Sequence, residues 1–140
     1  MGCDIHAHVE IKIDGKWEHW SAPEPRRNYL MFALLAGVRN YRELQPIAPV
    51  RGLPKDMTKL TAMDYHQMAP DAHTASWIGM EEMRKLEARY REVNARLYPE
   101  DDNPIFSFEH WLGSYLCGNA LWCPSVPEVT DVRLVFWFDN

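Results

Sequence analysis

The chain has 140 residues, 46% hydrophobic and 25% charged, with 15 Lys and Arg against 20 Asp and Glu for a net charge of −5. That length fits one domain spanning 1–140, able to bury about two thirds of the surface its unfolded form exposes. Six Trp, six Tyr and five Phe exclude a disordered chain, and no apolar run approaches the ~18 residues of a membrane span.

Residues 3–13 alternate strictly. Cys3, Ile5, Ala7, Val9, Ile11 and Ile13 share one side; Asp4, His6, His8, Glu10 and Lys12 share the other. Period two predicts a strand. Asp14-Gly15 is a favoured two-residue hairpin turn, and Lys16 to Ser21 reads as the return strand, with Trp17 and Trp20 as packing residues. Asn28 is a candidate cap for a short helix over Tyr29 to Ala36, which ends near Gly37. This helix is apolar nearly all round, so burial is expected.

From Arg39 to about Ala75 the signals are weak. Pro46, Pro49, Pro54 and Pro70 argue against long regular elements, and a long irregular stretch is often functional. A second helix starts at Gly79, with Glu82 at its third position and Ile78 and Met83 placed for a hydrophobic staple. Met80, Met83, Leu86, Tyr90, Val93 and Leu97 form its apolar stripe, and Pro99 stops it. Ser107 to Leu116 reads as a further helix, with Gly118 beyond its end. Pro124 and Pro127 mark a loop, and Val132 to Phe138 is a strand dense in β-branched and aromatic residues. The expected fold is a small α+β domain. The N-terminal hairpin and C-terminal strand make an antiparallel sheet, helices pack on one face, and the Pro-rich loops are long.

Four constellations could carry chemistry. His6 and His8 lie on one strand face, ~6.6 Å apart at the Cα, close enough to converge on a divalent ion. Asp4-Ile5-His6-Ala7-His8 resembles the metal-binding opening of amidohydrolases and of polymerase-and-histidinol-phosphatase domains. Zinc or manganese is the cofactor this implies, with Asp4 as ligand or base. Those barrels need about 250 residues, however, and the plainer reading is the polar side of a hairpin. Pro70 to Trp77 gathers His73, Thr74, Ser76 and Trp77 before a helix, where backbone N–H groups favour an anion such as phosphate and an indole can stack on a ring. The plainer reading is a capping loop with a core Trp. Arg26, Arg27, Arg39 and Arg51 are forks that bind two oxygens at once. Arg51 leads them, because Gly52 lets a ligand approach the backbone. Cys3, Cys117 and Cys123 read as buried thiols. Arg133, between Asp131 and Asp139, reads as a structural ion pair.

Charge and cysteine usage set the setting. An acidic chain argues against bulk nucleic-acid binding but admits a small anion held by a few arginines. Three cysteines without a CxxC pair fit neither a disulfide framework nor a zinc ribbon, and the N-terminus shows no basic or apolar leader. A cytoplasmic chain is expected, with no membrane partner and with self-association into a homo-oligomer left open.

The Gly2-Cys3-Asp4-Ile5-His6 opening, Arg27-Asn28-Tyr29 followed by Phe32-Ala33, Arg51-Gly52-Leu53-Pro54, the His73 to Trp77 segment and the closing Val132 to Asn140 resemble an uncharacterised family of small bacteriophage and prophage proteins. The resemblance runs from end to end and diverges around Asp64 to Ala72. It implies a phage-encoded protein in the host cytoplasm and, by analogy of context, counter-defence by sequestering a nucleotide signal. The residues then point to a pocket of His6, His8, Arg27, Arg51, His73, Ser76 and Trp77. Its ligand would be a phosphorylated small molecule or nucleotide. A metal-dependent hydrolase and a protein–protein inhibitor are the alternatives.

Overall fold

Alternation along 3–13 produces the expected hairpin. In the computed structural model, which describes residues 2–101, 107–113 and 129–140, β1 (Asp4–Ile13) and β2 (Lys16–Ser21) pair antiparallel. Asp14 (φ 50°) and Gly15 (φ 76°) both take the left-handed conformation that a tight hairpin turn matched to strand twist requires. β3 (His73–Gly79) and β4 (Val129–Asp139) complete a four-stranded sheet in the order β2-β1-β4-β3. Every pairing is antiparallel. β4 lies inside the sheet and is buried on both sides from Val132 to Phe138. Its apolar run from Leu134 to Phe138 answers to that position.

The register sorts side chains between two faces. Ile5 pairs with Phe138, Ala7 with Phe136, Val9 with Leu134 and Ile11 with Val132. These residues join one core with Met31, Phe32, Leu34 and Leu35 of α1 (Tyr29–Ala36). Met83, Leu86, Tyr90 and Val93 of α3 (Met80–Leu97) and Phe108, Trp111 and Leu112 of α4 (Phe108–Leu112) complete it. Each fully buried Leu or Phe contributes about 1.5–3 kcal/mol. The α1 cap is as expected: Asn28 Oδ1 accepts from the Met31 N–H at 3.0 Å, and Gly37 closes the helix at φ 73°. At the start of α3 the Glu82 carboxylate reaches back to the Gly79 N–H at 3.1 Å, and Ile78 and Met83 are both buried.

Four expectations change. The middle segment contains a helix, α2 (Lys59–Met68), because Pro54 and Pro70 bracket it without entering it. Its start is capped from afar: Glu10 Oε2 accepts from the Thr58 N–H at 2.8 Å. The His73 to Trp77 segment is strand, not capping loop, since it pairs with β4 (Ser76 opposite Phe136, Trp77 opposite Val135). Trp20 is 49% exposed and takes no place in the core. α4 reaches its left-handed cap at Gly113, short of the expected Leu116. Residues 114–116, Gly118, Pro124 and Pro127 lie outside the described residues, as do Cys117 and Cys123. Among the described residues no helix is long and apolar enough to cross a membrane.

Candidate functional site

The polar face of β1 is where the DxHxH motif falls, and α2 lies across it. Glu10 is fully buried. Its Oε1 accepts from Arg133 Nε at 2.8 Å, and its Oε2 accepts from Thr58 N–H and Thr61 Oγ1, each at 2.8 Å. Burial works to raise the Glu10 pKa, but the bonds from Thr58, Thr61 and Arg133 overcome it and hold the carboxyl below its ordinary value. Arg133 also donates to Asp56 Oδ1 at 2.8 Å and lies 3.9 Å from the centre of the Trp17 ring. Arg133 does form a structural ion pair, but with Glu10 and Asp56 and not with the neighbouring Asp131 and Asp139 of its own strand.

The histidines are held in the same way. His6 Nε2 bonds Asp139 Oδ2 at 2.6 Å. His8 Nε2 bonds Asp64 Oδ2 of α2 at 2.7 Å, and its Nδ1 meets His19 Nε2 at 2.9 Å. A carboxylate only accepts, so His8 Nε2 is the donor to Asp64, and its Nδ1 is left facing His19 Nε2. Burial, then the neighbouring His8, lowers the His19 pKa below 6.5. Asp4 is engaged elsewhere: Arg27 donates to its two oxygens at 2.9 and 3.0 Å. The three motif residues therefore face three different partners. Among the described residues no group of three or more His, Cys, Asp or Glu is gathered so that it could hold a metal ion.

The other predicted ligand residues divide between two places. Arg51, Ser76 and Trp77 do meet. The Arg51 N–H donates to Ser76 Oγ at 3.0 Å, and the guanidinium lies 4.5 Å from the Trp77 ring centre. That guanidinium also donates to Trp77 O at 2.9 Å and is clamped by both Glu82 oxygens. Its fork is filled from within the protein. Arg27 lies at the opposite end of the strands, against Asp4, which pairs with Asp139. His73 stacks on Phe138 at 6.2 Å, and its Nε2 is buried without a hydrogen-bond partner. Of the seven residues expected to share a pocket, Arg51, Ser76 and Trp77 come together, while Arg27 is held by Asp4 and His73 lies against Phe138.

One recess lies at the junction of α1, the loop after it and the end of α3. A cleft of about 460 Å³ lies between Tyr29 of α1, Arg39, Tyr41 and Arg42 of the loop, and Tyr98. The loop is held by its own backbone. Arg39 and Glu43 both sit at φ 53°, a costly conformation for residues other than glycine, which persists only where the surroundings impose it. Asn40 imposes it: its Nδ2 donates to Leu44 O at 2.7 Å, and its Oδ1 accepts from the Leu44 N–H at 2.8 Å. Arg39 Nη1 donates to Tyr41 Oη at 3.2 Å and lies over the Tyr29 ring. Arg42 Nη2 donates to Tyr98 Oη at 3.2 Å and lies over the Tyr98 ring. The Tyr29 hydroxyl is fixed in turn by the Cys3 N–H at 3.1 Å. Among the described residues, those lining the cleft include two arginines and no carboxylate, in a chain of net charge −5.

Only Arg39 of this group stood out in the sequence, as one of several arginines. The signal for the rest is the alternation Arg39-Asn40-Tyr41-Arg42, cation and aromatic together just past a helix end. No family model matches the chain, and neither the curated proteins nor the solved structures give a significant match.

Proposed function

We propose that this protein binds a phosphorylated small molecule, with nucleotides among the candidates, and holds it without turnover. The observation that supports this reading is the Tyr29–Arg39–Tyr41–Arg42–Tyr98 cleft, which is cationic in an acidic chain and of ordinary ligand-site volume. Arginine forks suit phosphate oxygens, and tyrosine rings supply contact area at little entropic cost. Binding alone is proposed because the cleft's described lining carries no carboxylate, imidazole, thiol or aliphatic hydroxyl, the usual carriers of acid, base and nucleophile chemistry. The resemblance to small phage proteins suits a role in which a host nucleotide signal is sequestered. Calorimetry against inorganic phosphate, sugar phosphates and linear, cyclic and ADP-ribose-type nucleotides tests the reading. Heat with at least one of them is expected, reduced at least tenfold in affinity by Arg42→Gln. No heat across the panel overturns it.

A further inference from the structure

The cleft's lining offers both an exposed ring and a cationic fork, and together they specify more than a phosphate. Tyr41 is 72% exposed, yet it is not a loose side chain. Its hydroxyl accepts from Arg39 Nη1, and the loop that carries it is braced at Asn40 and Leu44. Tyr29 and Tyr98 differ from it: each already has a guanidinium over its ring, Arg39 on Tyr29 and Arg42 on Tyr98. Tyr41 has no such cover among the described residues. A large aromatic held in place and left exposed where it lines a cleft is a stacking platform for a flat ring. Arg42 supplies the cation. It makes no ion pair with a carboxylate among the described residues, and one of its five N–H groups is spent on Tyr98 Oη. The remaining donors form a fork of the kind that takes two oxygens of a phosphate.

We infer that the ligand is a nucleoside phosphate whose base stacks on Tyr41 while its phosphate is taken by Arg42. This rests on the reading of the cleft as a phosphate-ligand site and adds the ring to it. The ring–phosphate pairing distinguishes such a ligand from sugar phosphates, which offer the fork its anion but leave Tyr41 uncovered.

Calorimetry with three probes on the full chain separates the parts: adenosine 5′-monophosphate, ribose 5-phosphate and adenosine. The nucleotide should bind about tenfold or more tighter than ribose 5-phosphate, the size of one base–aromatic stack. Tyr41→Ala should bring the nucleotide down to the level of ribose 5-phosphate and leave ribose 5-phosphate unchanged. Arg42→Gln should weaken both phosphates and leave adenosine unaffected. Equal affinity for nucleotide and ribose 5-phosphate overturns the assignment of the ring to Tyr41 but leaves the phosphate reading intact. Adenosine binding as tightly as the nucleotide overturns the assignment of phosphate to Arg42. Failure of all three probes overturns the nucleoside-phosphate assignment; the phosphate reading itself falls only when inorganic phosphate, sugar phosphates and every linear, cyclic and ADP-ribose-type nucleotide fail as well. Both substitutions lie on the exposed loop, and Tyr41→Phe, which keeps the ring but releases it from Arg39, should bind the nucleotide more tightly than Tyr41→Ala does; equal binding by the two variants would also overturn the stacking role.

Discussion

Glu10 accepts from three groups and is fully buried, so its environment is unforgiving. Arg133→Met would leave that carboxylate without its cation. Breaking a buried pair from one side costs about 3–5 kcal/mol, and urea unfolding at pH 7 should show a loss of that order. His6, His8 and Asp4 each have their own partner, so no metal is needed to satisfy them. Dialysis against a chelator should leave the melting temperature unchanged; a clear fall would place an ion on that face. Trp20 is half exposed at the edge strand β2, and Trp20→Ser should alter stability by no more than about 0.5 kcal/mol. The sequence pattern placed Trp20 among packing residues because its aromatic character was visible and its exposure was not.

Helix α1 was legible nearly to the residue, since its signals are local: an Asn before it, a Gly after it and eight apolar or aromatic positions between. Asn28 does more than cap, because its Nδ2 donates to Tyr90 Oη at 3.1 Å and so ties α1 to α3. Asn28→Ala should cost about 1–2 kcal/mol, the range of a lost cap. Asn28→Asp keeps the acceptor for Met31 but loses the donor to Tyr90, so it should fall between the two in thermal unfolding. Helix α2 was not legible. Thr61 is its one buried residue, and Leu60 and Met63 are exposed. Without an apolar stripe, its sequence carries no strong helical period. It is held instead by hydrogen bonds to the sheet, Glu10 to Thr61 and His8 to Asp64, and by a T-shaped ring contact between Trp137 and Tyr65 at 5.2 Å. The strand at His73–Gly79 was missed for a related reason. Pairing with β4 overrides a composition of small and hydroxylated residues that reads equally well as loop.

Stability of the whole molecule should follow its carboxylates. Arg133 beside Asp56 and Arg51 beside Glu82 hold those two below their ordinary values, and Glu10 is lowered as well. A depressed carboxylate contributes stability that is complete above its unfolded pKa and is lost as pH falls through its folded one. The urea midpoint should therefore hold against these three groups down to about pH 5 and fall below it. His19 acts earlier. Its pKa lies below 6.5 in the fold, so the unfolded chain takes its proton first and stability begins to decline as pH drops under 6.5. His19→Gln should remove that first decline and leave the later one, a difference that a pH series of urea titrations resolves.

Periodicity and capping residues settled the hairpin, α1, α3 and the last strand, because each depends on neighbours a few positions away. They also settled that the chain is an α+β domain with one apolar face on β1. Which charges are spent and which remain to meet a ligand was decided by folding. Arg51 looked the best anion holder, yet Glu82, 31 residues away, fills its fork. Arg42 drew no notice, yet packing brings it to Tyr98, 56 residues away, at the wall of a cleft. A side chain's chemistry is written in its residue type, but whether it is free to act depends on partners that only the packed chain brings within reach.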